Sequence, residues 1–190
     1  MTARWVVDEV QPERELKVTW EPISLLFKNR PDPASDRYPA YKRTHDLLRV
    51  LESVRTTDGN DGVFSLYWEF GRRIHHDREL MDFSVADALL SAGLDPSHSE
   101  AYDNASWDDE IRTRMDVGLD LAGNDIGTPI IAFDNADGER VGIFGPVITR
   151  VPTKGLSLQL WDGLTSVMAV PGFWELKRTR TERPEFGKRP

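Results

Sequence analysis

The stretch that most constrains this chain is Gly127-Thr128-Pro129, followed by the apolar run Ile130-Ile131-Ala132-Phe133. A strand that opens on Thr-Pro is unusual. Proline has no N–H for a sheet ladder and is confined to strand starts, edges and bulges. It is also the residue before which a cis peptide costs little. A cis Thr128–Pro129 bond would turn the backbone ahead of the strand outward and present its polar groups to a partner. The second constraint is compositional: none of the 190 residues is cysteine. Disulfides, thiolate metal sites and a cysteine nucleophile are therefore excluded within these residues.

The segments around the Thr-Pro strand read as a mixture of helices and strands. Thr2 to Val10 is predicted helical, with Trp5, Val6 and Val7 as its apolar side and Gln11-Pro12 as its end. Leu16, Val18 and Trp20 alternate with Lys17 and Thr19, the period of a half-buried strand. From Ser35 onward the period is helical. Tyr41, Leu47, Leu48, Leu51 and Val54 make one stripe, and Val63, Leu66, Tyr67, Phe70 and Ile74 a second, with Thr56 to Gly62 expected as a loop. Ser84-Val-Ala-Asp87 and Ser106-Trp-Asp-Asp109 read as helix starts, closed by Gly93 and Gly123. Ile130–Asp134 and Val141–Phe144 flank Asn135-Ala-Asp-Gly138 and predict an antiparallel hairpin. Leu156, Leu160, Leu164 and Val167 mark a last long helix, and a short helix is expected over Phe173 to Lys177.

Charge and hydropathy narrow the function classes. The formal net charge of −8 disfavours nonspecific binding to nucleic acid, which needs clustered Lys and Arg. Glu175 to Pro190 is the exception: six basic and three acidic residues give a local +3, so the remainder carries −11. No apolar run approaches the roughly 20 residues that span a bilayer, so no membrane partner is expected. Met1 to Val10 carries Asp8 and Glu9 and does not read as a secretory signal, which makes the cytoplasm the expected compartment.

The remaining polar constellations have plainer readings. His75-His76 offers near-neutral acid/base groups, but adjacent helical positions point apart and do not form a joint metal site. Asp58-Gly-Asn-Asp-Gly62 has its glycine one place early for a calcium loop and reads as a turn. Asp108-Asp109-Glu110 suits the first turn of a helix without any ligand. No metal site is expected. No Gly-x-Ser-x-Gly, phosphate loop or dinucleotide fingerprint occurs.

Several segments together resemble one family. They are Met1-Thr-Ala-Arg-Trp5, Ser24-Leu25, Arg73-Ile-His75, Ala101-Tyr-Asp-Asn104, Asp125-Ile-Gly-Thr-Pro129, Phe144-Gly-Pro146, Leu160-Trp-Asp162 and Glu175-Leu-Lys-Arg-Thr-Arg-Thr-Glu182. They resemble the mycothiol-dependent nitroreductases, DsbA-like thioredoxin-fold oxidoreductases of mycothiol-producing bacteria. The resemblance runs from Met1 to about Phe186. It implies an α/β, thioredoxin-like fold with an all-helical insertion. Residues 1–34 and 124–190 would form the thioredoxin-like domain, and 35–123 the insertion. It implies thiol–disulfide chemistry with mycothiol as thiol co-substrate and no bound prosthetic group. Gly127, Thr128, Pro129, Trp5 and His75 would bind the substrate, a low-molecular-weight disulfide or electrophile. A homodimer is left open.

The resemblance also sets an expectation about what precedes Met1. In that family a first strand and a Cys-Pro motif, whose leading cysteine is the nucleophile, lie just upstream of the residues that match Met1 to Trp5. The chain is expected to be N-terminally truncated relative to the family, its first β-strand missing. A misplaced start, a truncated gene and a redox-dead paralogue would each account for this. Two further readings follow: a redox-inactive binding module using the cis-Pro face, and a nonfunctional fragment. Unpaired buried backbone groups cost ~1–3 kcal/mol each, so poor stability and aggregation are expected of the chain alone.

Overall fold

The computed structural model describes residues 1–189, which combine helices with one two-stranded sheet. Two compact units divide the chain. One takes Met1–Val18 and Val117–Gly187, the other Thr19–Asp116 with Lys188 and Arg189.

The first unit opens on a continuous helical run: α1 (Thr2–Trp5), a π-helical turn (Val6–Val10) and α2 (Gln11–Arg14). Gln11-Pro12 does not end it, contrary to the sequence reading. Pro12 falls in the first turn of α2, where a missing N–H costs little. Glu15, at φ 50°, terminates the run. Trp5, Val6 and Val10 are buried together, and Leu16, Val18, Ile131, Ile148, Leu160 and Trp161 pack against them.

Leu16 to Trp20 joins no sheet, a correction to the expected strand. Its alternation instead records an extended segment whose Leu16 and Val18 side chains cover the Trp5 cluster. Ladder pairing needs a neighbouring strand, and β1 (Ile130–Asp134) and β2 (Arg140–Phe144) pair with each other. Their antiparallel register sets Ile130 against Phe144 and Asp134 against Arg140. The turn closes as its residues dictate: Gly138, at φ 79°, donates its N–H to the Asn135 carbonyl at 3.0 Å. Asn135 Oδ1 accepts from the N–H groups of Asp137 and Glu139.

The second unit is helical. After α3 (Leu25–Asn29) comes α4 (Tyr38–Arg72), which runs into a π-helical turn at Arg73–Asp77. The loop expected over Thr56 to Gly62 is reduced to a break at Gly59, whose φ of 63° and ψ of −153° suit only glycine. The helical period resumes at once on either side. Leu47, Val50, Leu51, Val54, Val63, Leu66 and Phe70 form the core with Phe83, Ala88 and Leu89.

Helix α5 (Val85–Ser91) starts as predicted, with Ser84 Oγ accepting from the Asp87 N–H, and Gly93 follows it at φ 76°. Helix α6 (Asp108–Ala122) continues a 3-10 turn at Ala105–Trp107. The capping residue there is Asn104 rather than Ser106, because the 3-10 turn extends the helical start. Ile111, Met115 and Leu119 are buried, and Gly123 closes α6 at φ 92°. Helix α7 (Lys154–Met168) returns to the first unit. No helix forms over Phe173 to Lys177, another correction. Trp174 is 88% and Leu176 85% exposed, so no surface holds an apolar face there.

Candidate functional site

Within the first unit, three segments far apart in sequence meet through backbone groups. The Thr128–Pro129 and Gly145–Pro146 peptides are both cis. The Gly145 N–H donates to the Pro129 carbonyl at 2.8 Å. Thr2, buried in the first turn of α1, donates its hydroxyl to the Pro146 carbonyl at 2.7 Å. The start of α1 is thus tied to one proline loop, which is tied to the other.

The Thr-Pro loop itself is partly open. Thr128 is exposed, while Gly127 and Pro129 are half-buried. A Cβ on Gly127 would lie 3.5 Å from the Phe144 ring, so that ring backs the loop. β1 follows immediately, and its ladder partner β2 occupies one edge.

Trp5 sits behind this surface rather than on it. Its side chain is fully buried (0% exposed), its indole N–H donates to the Ser157 carbonyl at 3.3 Å, and its ring centroid lies 5.9 Å from that of Trp161. It supports the helix start from the inside. His75 belongs to the second unit, on the exposed side of the π-helical turn after α4. The geometry of the first unit therefore brings together Gly127, Thr128 and Pro129 with Thr2, a residue not singled out by the sequence.

The second unit contains a buried polar chain that sequence spacing did not reveal. Ser24 Oγ lies 3.0 Å from His45 Nδ1, and His45 Nε2 lies 3.1 Å from Asp108 Oδ1. Arg49 grips the same carboxylate from Nε at 2.6 Å and from Nη2 at 3.0 Å, and reaches Asp46 from Nη1. The Asp108 carboxylate can only accept, so Nε2–H donates to it, and Nδ1 of the neutral ring accepts from the Ser24 hydroxyl, whose oxygen also caps α3 by accepting from the Phe27 N–H. Burial holds the His45 imidazole below its ordinary pKa, against the pull of Asp108. For Asp108, burial pushes the carboxyl up, but the bonds from Arg49 outweigh it and keep it low.

These residue types invite comparison with a nucleophilic triad. Ser24 is fully buried and already committed as a cap, and His45 is 1% exposed. No substrate carbonyl can reach that hydroxyl, so the chain acts as a clamp between α3, α4 and α6. The one sequence signal for it was polar His45 and Arg49 on the apolar stripe of α4.

A cavity of about 560 Å³ in the same unit is lined by Glu52, Arg55, Trp107 and Arg114 among others. Its charges answer one another. Arg55 donates to Glu52 at 2.9 Å, and Arg114 lies 3.0 Å from Glu52 and 2.8 Å from Glu110. Among the described residues, no group of three His, Asp or Glu is placed to hold a metal ion. No helix among them is long and apolar enough to cross a membrane.

Comparison with known proteins gives this arrangement a family. An uncharacterized protein of Mycobacterium tuberculosis, Rv2286c, is 26% identical over 194 aligned positions, covering 95% of this chain and 76% of that protein. The model of the family described as "Mycothiol-dependent nitroreductase Rv2466c" matches residues 1–178. The chain belongs to the Rv2466c-like family of mycothiol-dependent nitroreductases.

Proposed function

We propose that this chain is the body of a DsbA-like, thioredoxin-fold oxidoreductase that works with mycothiol, and that its nucleophilic cysteine lies outside these 190 residues. The observation that carries the reading is the bonded path from Thr2 through Pro146 and Gly145 to Pro129. It gathers the start of a helix and a Thr-Pro loop at one place, where a thiolate ahead of that helix start would meet a substrate held by the loop.

In this reading residues 1–34 and 124–190 belong to the thioredoxin-like domain, and 35–123 to its helical insertion. Gly127, Thr128 and Pro129 bind the substrate through their backbone, and Trp5 holds the helix start from behind. The substrate is a low-molecular-weight disulfide or electrophile. For a disulfide, the protein thiolate attacks one sulfur, forming a mixed disulfide and expelling the other sulfur as thiolate. Mycothiol thiolate then attacks the mixed disulfide and releases the protein sulfur. The reaction takes place in the cytoplasm. An acidic net charge of −8 supports a small-molecule substrate over a polyanion.

The absence of cysteine favours a second reading, a redox-inactive binding module that uses the same loop. Both are tested by titrating the protein purified from its own cells with mycothiol disulfide, following backbone amide resonances. Shifts centred on Gly127, Thr128 and Ile130 are expected, and Gly127→Ala reduces them. Shifts confined to other residues, or none, contradict both readings. A mixed disulfide formed on the protein selects the first reading, and reversible binding alone selects the second.

A further inference from the structure

The cavity of about 560 Å³ in the second unit has no part in the redox reading. Every residue that lines it belongs to that unit. One wall is the Ser106-Trp-Asp-Asp109 stretch, which reads in the sequence as a helix start. The capping is done instead by Asn104, whose Oδ1 accepts from the Ser106 N–H at 3.0 Å, and Asp108 is held by His45 and Arg49. Ser106, Trp107 and Asp109 are thereby left to line the cavity. Ser106 and Asp109 are exposed at its rim, and Trp107 is half-buried.

The floor says what kind of ligand fits. Glu52 is 1% exposed and accepts from Arg55 at 2.9 and 3.1 Å, with Arg114 at 3.0 Å. Glu110 holds Arg114 from the rim at 2.8 Å. Two guanidinium groups thus face two carboxylates. An incoming anion competes with Glu52, and an incoming cation competes with the arginines. Either one leaves a buried charge without its partner, which is costly. A hydroxyl disturbs neither, because it donates to a carboxylate and accepts from a guanidinium. Trp107 adds the flat apolar face of an indole. A ring that carries hydroxyls along its edge and C–H bonds on its face matches both surfaces. The volume is that of an ordinary small-molecule pocket.

We propose that this cavity binds a neutral polyhydroxylated ring, a pyranose or a cyclitol, with one ring face on Trp107 and neighbouring hydroxyls bridging the Glu52–Arg55–Arg114 floor and the Ser106 and Asp109 rim. It does not depend on the redox reading.

Heteronuclear NMR of the full chain tests it, with methyl α-glucopyranoside and myo-inositol as separate probes. Saturable shifts of the Trp107 indole N–H and of the Ser106 to Glu110 amides are expected from at least one probe below ~0.1 M, with a dissociation constant of about 1–10 mM. A response to the glucoside names a sugar and a response to inositol a cyclitol; each supports the proposal. The affinity stays within about twofold between ~0.05 and ~0.5 M salt, because the ligand carries no charge. Trp107→Ala weakens binding about tenfold or more. Asp109→Ala, at an exposed position and with unchanged circular dichroism, weakens it about threefold. No saturable shift from either probe at ~0.1 M overturns the proposal, as do shifts that both variants leave unchanged. Spermidine or inorganic phosphate moving the same resonances, with affinity falling more than about tenfold over that salt range, also overturns it and assigns the cavity to a charged ligand.

Discussion

Thr2 and Pro146 lie 144 residues apart in sequence, yet the Thr2 hydroxyl donates to the Pro146 carbonyl at 2.7 Å. The bond fixes the start of the helical run Thr2–Arg14 against a proline loop that is itself bonded to Pro129. Thr2→Val keeps the shape and removes the donor, leaving a carbonyl without its partner. The expected loss is about 1–2 kcal/mol, read as a lower urea midpoint at unchanged slope. Thr2→Ser retains the donor and stays near wild type.

Trp5 separates support from substrate contact. Trp5→Phe keeps a six-membered ring but loses the N–H to Ser157 and the pyrrole half of the indole, for a cost of roughly 1–3 kcal/mol. Trp5→Ala opens a cavity in the Val6–Val10–Trp161 cluster and costs roughly 3–5 kcal/mol. Chemical denaturation orders the three proteins. A Trp5→Ala protein as stable as wild type would remove its supporting role.

Gly142 and Leu121 make a second pairwise test. A Cβ on Gly142 would lie 2.9 Å from the Leu121 Cβ, so β2 and the end of α6 approach through this glycine. Gly142→Ala is expected to cost about 1–3 kcal/mol. Leu121→Ala in the same chain leaves the methyl group still crowding the remaining Cβ, so a double-mutant cycle should show only partial relief. Gly127→Ala, by contrast, meets the Phe144 ring at an ordinary 3.5 Å and should change stability by less than about 0.5 kcal/mol. Its effect on mycothiol disulfide binding therefore reports on the loop and not on folding.

The His45 chain predicts how stability follows pH. Its folded pKa is depressed, chiefly by burial, so below the unfolded value of about 6.5 the unfolded chain takes up a proton that the folded chain refuses. Stability is complete above that value and falls as pH drops through the window beneath it. Asp46, Arg49 and Asp108 face the imidazole and set its depth. Asp108, held low by Arg49, adds a second loss at still lower pH, below the ordinary carboxylate range. Urea midpoints from pH 8 to 5 in His45→Gln should be flatter than in wild type; an unchanged slope would show that His45 is not the responsible group.

What the sequence revealed and what it hid have separate physical causes. The hairpin was legible because Asn135 and Gly138 carry their own turn chemistry between two apolar runs. Ser84 and Gly93 were legible as helix ends for the same local reason. Leu16 to Trp20 misled because alternation reports which side chains are buried, and Leu16 and Val18 are covered without a ladder. Phe173 to Lys177 misled because short helices depend on a packing surface, and Trp174 has none. At the candidate site, Gly127 to Pro129 stood out by composition, whereas Thr2 did not, since its importance comes from a carbonyl 144 residues away. The Ser24–His45–Asp108 chain was hidden similarly, joining residues 21 and 63 positions apart.

The central claim is that this fold serves a thiol whose sulfur lies outside the 190 residues. Intact mass and thiol titration of the protein purified from its own cells test that claim most directly. The account predicts a mass above 21.6 kDa and at least one reactive thiol. A mass of 21.6 kDa with no thiol would contradict it, and would leave the Thr128–Pro129 loop as a binding surface without redox chemistry.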